Sequence, residues 1–466
     1  MLIWTMYIGI LITVRQMDNI PEYISYTISK DGQINYRIDR SLLAKYIRDN
    51  YHYLFVRNNA RSGVLRYWYT NGVYKMVTDE EIKGYIKQII SDFDEKLVRL
   101  SAINEVYGLL IADWRYVNES DLNCDEDIIN FQNGIYNLKT NILSPHTPKV
   151  YSTIQLPCDY IETTDDAKLF NNYLDTLTSG DKQKAKLILQ YMGVALSNIK
   201  GYRFKKSLFL IGEGNSGKSQ IKQLVEKILG DTNCSAQDIF QLEKRFGTAN
   251  LYNKRLVGSA DMSFQNVKEL ATFKKLTGGD TVFAEYKGEN GFDFVYNGLI
   301  WCCGNEMPTF SGDQGEWVYD RMIIIECNNV ISPEKQDKHL LDKLMLEAPA
   351  IISMALNALK DVMVDYRFDI PDSCIKILDI YKSDNDIVRK FYAECCIPRQ
   401  PGRYSTGTTK DIYNYFLCWC NENYSGAIVK KSEFNNRLCK LLKTTKQELI
   451  KRQNDNTYYC FDVRKV

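Results

Sequence analysis

Apolar positions in the first 110 or so residues follow two periods, one of strands and one of helices. Leu65–Thr70 and Val73–Val77 flank Asn71-Gly72, a pair that accepts positive φ and so predicts a tight hairpin. Thr78 and Glu81 make a capping-box signature, after which Ile82, Tyr85, Ile86, Ile89 and Ile90 return at helical spacing. A second hairpin-like piece is predicted within Asn130–Pro148, where Asn133-Gly134 precedes Ile135, Tyr136 and Leu138. Residues 165–200 read as helical and amphipathic, with Leu187, Leu189, Tyr191, Met192 and Val194 in an apolar stretch.

From about Lys205 short apolar runs alternate with polar loops and helices, the pattern of a parallel α/β domain. Ser207–Ile211, Leu256–Ala260, Leu299–Cys303 and Met322–Glu326 are its expected strands. Val282–Tyr286 and Gly291–Tyr296, joined by Lys287-Gly288-Glu289-Asn290, predict a β-hairpin with a lysine near its tip. Beyond Pro333 the pattern is helical through Lys360, and Arg367–Pro371 reads as a linker. Two further helices are expected at Thr409–Asn423 and Ser432–Leu442, then Glu448–Arg452 and Thr457–Val463 around the turn Asn454-Asp455-Asn456.

Composition narrows the class. The 466 residues are 45% hydrophobic and 25% charged, which excludes a collagenous, wholly disordered or multi-span membrane chain. Net charge is only +1, yet residues 396–466 carry thirteen Lys and Arg against six Asp and Glu, a local excess of +7. Any nucleic-acid contact must therefore come from a local basic surface. Thirteen cysteines without a CxxC pair, and three histidines, give no zinc-ligand spacing and point to reduced thiols. Leu2–Val14 is apolar but short for a membrane span and lacks the basic lead of a signal peptide; it reads as a buried strand or as sequence before a start at Met17.

One motif carries chemistry outright. Gly212-Glu213-Gly214-Asn215-Ser216-Gly217-Lys218-Ser219 fits the phosphate loop, follows an apolar run and opens the helical stretch Gln220–Leu229. Such a loop turns its amides toward phosphate oxygens, and the helix adds its positive end. Lys218 would reach the β and γ phosphates of ATP, and Ser219 would coordinate Mg2+. Asp261, at the end of Leu256–Ala260, is the carboxylate expected to hold the metal's water shell. Met262 follows it where many such motors have a second acid, so the general base stays open among Asp261, Glu269 and Glu306. Asn305 ends a buried run and suits either orienting the attacking water or a plain strand-end turn ahead of Pro308. Arg321 precedes the last strand, positioned either to reach a neighbouring subunit's nucleotide or to form a surface salt bridge. Lys287 with Tyr286 suits either a nucleic-acid backbone or plain solvent.

Taken in order, GEGNSGKS, the strand ending in Asp261, KKLTGGD with its hairpin, CCGNEMP and YDRMIII resemble a superfamily 3 helicase core. Upstream, FQNGIYNL with PHTP and LPCDY resembles the segment before the motor in phage, plasmid and poxvirus primase-helicases. The resemblance covers about residues 60–466. It implies an α/β chain: an α+β N-terminal region over 1–110, a mostly helical segment over 111–200, an AAA+ P-loop motor over 201–370 and a C-terminal winged-helix domain over 371–466. It further implies a homo-hexameric ring in the host cytosol that hydrolyses ATP with Mg2+ and moves 3′ to 5′ on single-stranded or forked DNA. Lys287 then falls in the channel hairpin, Asn305 is the sensor, and Arg321 is a finger acting on the neighbour's site. Lys430, Lys431, Arg437, Lys440 and Lys443 along the second C-terminal helix and its start would meet origin duplex DNA, although a solvated helix or a subunit contact fits them too. No membrane is involved. Primase activity is not expected and would come from a separate partner. Two rival readings are a nucleotide-switched DNA-binding initiator or loader with little hydrolysis, favoured by the missing acid, and a small-molecule P-loop kinase, disfavoured by the hairpin and basic C-terminus.

Overall fold

The computed structural model describes residues 20–57, 64–112, 116–163, 165–262, 266–267, 270–288, 291–310, 316–398, 402–423 and 429–464; Leu2–Val14, Met17 and Glu269 lie outside them. The chain forms two compact units, Met1–Cys124 with Pro145–Gln155, and Asp125–Ser144 with Leu156–Val466.

In the first unit, a hairpin of β1 (Ile24–Ile28) and β2 (Ile34–Ile38) precedes α1 (Arg40–Asn50). The strands β3 (Tyr53–Arg57), β4 (Val64–Thr70) and β5 (Val73–Met76) are antiparallel. Asn71 (φ 49°) and Gly72 (φ 84°) make the turn their sequence predicts. Helices α2 (Asp79–Phe93) and α3 (Leu100–Ile111) follow, and β6 (Val117–Asn118) joins β3 in parallel. The Thr78–Glu81 capping box is formed in both directions. Ile82, Ile86, Ile89 and Ile90 are buried against Leu43, Ile47, Val106 and Leu110, while Tyr85 stays exposed.

The second unit opens with the antiparallel strands β7 (Ile128–Phe131), β8 (Gly134–Asn137) and β9 (Ile142–Ser144). The 165–200 stretch is two helices, α4 (Lys168–Leu177) and α5 (Lys182–Leu196). Ser179 (φ 53°) and Gly180 (φ 81°) break the helical path, and Asp181 caps α5 by accepting from the Gln183 and Lys184 amides.

The parallel sheet follows: β10 (Ser207–Ile211), then α6 (Lys218–Leu229), β11 (Cys234–Ser235), β12 (Leu256–Val257), α7 (Ala271–Gly278), the hairpin of β13 (Thr281–Ala284) and β14 (Phe292–Val295), β15 (Leu299–Gly304) and β16 (Met322–Glu326). Its order is β11-β12-β15-β10-β16, all parallel. β15 is apolar and buried throughout, and β10 is buried and apolar from Leu208 to Leu210, as expected of strands covered on both faces. The Leu256–Ala260 strand is shorter than its sequence suggested. The Gly258 amide (φ 149°) still donates to the Ser235 carbonyl, after which Ser259 accepts from the Cys303 amide and the Met262 amide donates to the Cys303 carbonyl.

Helices α8 (Leu340–Leu346) and α9 (Ala348–Val362) follow the sheet, and α9 packs on α5 in the same core as the sheet. The Arg367–Pro371 segment is tied down, since Asp369 exchanges hydrogen bonds with Gln190 (2.8 and 3.0 Å) and pairs with Lys186 at 2.9 Å. Beyond it lie α10 (Asp372–Asn385), α11 (Ile387–Cys395), β17 (Cys396–Pro398), α12 (Thr409–Asn423), α13 (Lys431–Leu442), β18 (Ile450–Gln453), β19 (Asn456–Tyr459) and β20 (Phe461–Val463). The expected last strand divides at Cys460, because β19 pairs with β18 whereas β20 pairs with β17. This region has its own aromatic core, centred on Phe391, Phe416, Phe434, Tyr459 and Phe461.

Candidate nucleotide site at the carboxyl end of the sheet

Strand β10 delivers the chain into the glycine-rich loop at the carboxyl end of the parallel sheet, where open α/β sheets place their ligands. Gly212 (φ 136°) passes so close to the Cys327 carbonyl that a Cβ there would collide with it. Asn215 (φ 60°) and Gly217 (φ 90°) complete the turn, and Glu213, Gly214 and Asn215 are exposed. The outer residues of the loop therefore face solvent.

Lys218 is 6% exposed, and its Nζ donates to the Gly212 carbonyl (2.8 Å), the Glu213 carbonyl (2.6 Å) and Ser216 Oγ (2.8 Å). Burial holds its pKa below the ordinary value of 10.5, partly countered by Cys327, Cys303 and Asp261. A cation held by neutral oxygens and deprived of water is poised to receive an anion. Ser219 Oγ donates to the Ala260 carbonyl at 2.8 Å, which puts that hydroxyl beside Asp261. Asp261 is exposed, its amide taking a 3.1 Å bond to Ser259 Oγ. Asn305 is joined to the loop through its backbone, its carbonyl accepting from the Gly212 amide at 3.2 Å. Lys218, Ser219, Asp261 and Asn305 thus converge on one end of the sheet, and the exposed Glu306 adjoins Asn305. Met262 is buried, its amide donating to Cys303.

The set fits ATP and Mg2+. Among the described residues no group of three or more His, Cys, Asp or Glu stands ready for a metal, and magnesium characteristically takes one or two protein oxygens plus phosphates and water.

Arg321 lies elsewhere. Ser207 pairs with Met322 and Ile211 with Glu326, so Arg321 sits at the amino end of the sheet. At about 3.3 Å per residue, the two ends of these five-residue strands are roughly 15 Å apart, beyond the reach of a side chain. Its Nη1 donates to Thr277 Oγ1 (2.7 Å) and to the Lys274 carbonyl (3.2 Å), and burial lowers its pKa against the pull of Asp280 and Asp320. The KKLTGGD stretch is the helix α7 that holds it.

Lys287 is exposed between β13 and β14. Tyr286 is packed against the body instead of projecting: its ring stacks on Phe292 and its hydroxyl donates to the Ala249 carbonyl at 3.1 Å. In the C-terminal region Lys430, Lys440 and Lys443 are exposed. Lys431 donates to Thr409 Oγ1 (3.1 Å), and Arg437 pairs with Glu433 (2.9 Å) and Asp386 (3.7 Å) with its side chain 14% exposed. These two charges help to hold α13 in place.

Sequence reading missed Tyr173, whose hydroxyl donates to the Gly217 carbonyl at 2.6 Å, and Thr277; each partner lies some forty residues away, without a local signal.

Two family patterns match. "D5 N terminal like" covers residues 44–179, and "Family of unknown function (DUF5906)" covers 210–321. "Putative helicase L207/L206" of Acanthamoeba polyphaga mimivirus is 28% identical over 248 residues, half of this chain and 25% of that protein. "Putative helicase 121R" of Invertebrate iridescent virus 3 is 24% identical over 389 residues, 74% of this chain and 41% of that one.

The chain is similar to helicase-named viral proteins.

These likenesses agree with the motif order. The chain spans between a quarter and two fifths of the length of the viral helicase-named proteins it matches. The apo structure of the NrS-1 C-terminal region is 12% identical and aligns over 91% of this chain and 98% of that one, with a TM-score of 0.49. Among the described residues no helix is long and apolar enough to cross a membrane.

Proposed function

We propose that this chain is an ATP-hydrolysing motor that moves along single-stranded DNA, 3′ to 5′, as the helicase of a replicating mobile or viral genome. The observation that carries the reading is the convergence of Lys218, Ser219, Asp261 and Asn305 at one end of the sheet with Arg321 at the other. Gly212–Ser219 would cradle ATP, with Lys218 on its outer phosphates. Ser219 and Asp261 would hold magnesium, which neutralises phosphate charge when bound. An arginine that its own loop cannot use suits a hexameric ring in which each site is completed by a neighbour. The helicase names of the viral relatives support the same reading. Lys287 would grip the strand in the channel. The helix pair α12–α13 with the β18–β19 hairpin would act as a winged helix, meeting origin duplex through Lys430 and Lys440.

A second reading, a nucleotide-switched initiator or loader with weak turnover, is favoured by Met262, which is buried where a second acid would stand. Steady-state ATPase with and without single-stranded DNA separates the two, with Lys218→Ala as control. DNA-stimulated turnover supports the motor. ATP binding with negligible turnover in both conditions supports the switch.

A further inference from the structure

Helix α4 lies upstream of every motor motif, yet three contacts tie it to the nucleotide end of the sheet. Tyr173 reaches the Gly217 carbonyl at 2.6 Å, the shortest of three donors there; the Gln220 and Ile221 amides stand at 3.0 and 3.4 Å. Its ring also closes against Gly217, where a Cβ would lie 3.2 Å from Tyr173 Cε2. One turn on, the Thr176 carbonyl accepts from Asn329 Nδ2 at 3.2 Å, in the segment that leaves β16. The same segment meets the loop directly, since the Ile331 amide donates to the Asn215 carbonyl at 3.0 Å.

The start of α4 is held from far along the chain. Ala167 precedes the helix at φ 46° and offers no side-chain cap. The Glu347 carboxylate, between α8 and α9, takes that role by accepting from the Leu169 amide (3.1 Å) and the Phe170 amide (2.8 Å). A carboxylate on a helix N-terminus satisfies orphan amides and matches the helix dipole.

We propose that Tyr173 is a positioning residue of the nucleotide site, and that Glu347 keeps the helix carrying it in register. A trans peptide directs its carbonyl and its amide to opposite sides. By holding the Gly217 carbonyl, Tyr173 aims the Lys218 amide of the same peptide into the loop, where a phosphate would accept it. Because the carbonyl keeps its two helical donors when the hydroxyl is removed, the brace acts on the loop's aim more than on the fold. The inference rests on the nucleotide-binding reading above.

The test compares wild type, Tyr173→Phe and Glu347→Gln in the full chain, by ATPase kinetics and by thermal melting with and without ADP. The phenylalanine keeps the ring and loses the hydroxyl. About a fivefold rise in KM for ATP is expected, the worth of one net hydrogen bond, with kcat within about twofold. The ADP-induced rise in melting temperature should shrink while the apo melting temperature holds. Glu347→Gln should move KM the same way by less, and it carries the test if Tyr173→Phe folds poorly. A lower apo melting temperature with KM unchanged would make Tyr173 a packing residue and overturn the proposal. A wild-type protein that neither binds nor turns over ATP would instead remove the nucleotide reading beneath it.

Discussion

At the carboxyl end of the motor sheet, Lys218 is buried with its ammonium held by three oxygens of its own loop, next to Ser219, Asp261 and Asn305. At the amino end, Arg321 is half-buried and is held by Thr277 and Lys274 of α7, a strand's length from the glycine-rich loop. Both are cations placed by β10 and its neighbour. The first sits among the loop and strand ends that would hold nucleotide, whereas the second is held by a helix at the opposite end of the sheet. A parallel sheet with the phosphate loop at one end and an arginine at the other is the polarity that the proposed head-to-tail ring requires.

The sharpest way to break this contrast is Lys218→Ala, which should bring ATP turnover down to background and abolish binding, read by hydrolysis and by ADP-induced thermal shift. Turnover that survives would remove Lys218 from the chemistry. Arg321→Ala should cost on the order of a thousandfold in kcat while ATP binding is retained. Mixing it with Lys218→Ala protein should recover part of the turnover, since an intact loop would then face an intact arginine. A mixture no more active than its components would place Arg321 in a purely intrachain role.

Lys287→Ala should keep nucleotide binding and lose most forked-duplex unwinding in a strand-displacement assay. Unwinding at the normal rate would return the hairpin to a solvated loop.

The smallest expected effect is a pH dependence. Burial lowers the Lys218 pKa below 10.5 in the free protein, and a bound phosphate should raise it again by pairing with the charge. Between the lowered value and the raised one, ATP binding takes up a proton, so affinity should fall as pH rises through that window. The same depression means that the unfolded chain holds more protons there, so stability of the free protein should rise with pH over the window between the folded value and 10.5. Calorimetry in buffers of different ionisation enthalpy reads the proton uptake. A proton count of zero across the window would mean that Lys218 already sits in its bound electrostatic state.

Much of the architecture was legible because its causes are local. The Thr78–Glu81 box, the Asn71-Gly72 turn, the apolar runs of β10, β15 and β16, and the loop from Gly212 to Ser219 each state their geometry within about eight residues. The C-terminal helices and hairpin were readable for the same reason. Where the sequence misled, a competing local signal or a distant partner intervened. Ser179 and Gly180 divided a continuous amphipathic pattern, and Gly258 cut a strand short because the chain turns there to meet Cys303. Arg437 has the composition of a DNA contact, but Asp386, some fifty residues upstream, draws it into an ion pair.

The sequence by itself determined the phosphate loop, the elements around it and the identity of the charges, because spacing and backbone preference act over a few residues. Only the tertiary structure decided which charges are free and which are occupied. It set Tyr173 on Gly217, Glu347 on the start of α4, Thr277 on Arg321 and Asp386 on Arg437, pairs in which burial and packing bring together groups with no local reason to meet.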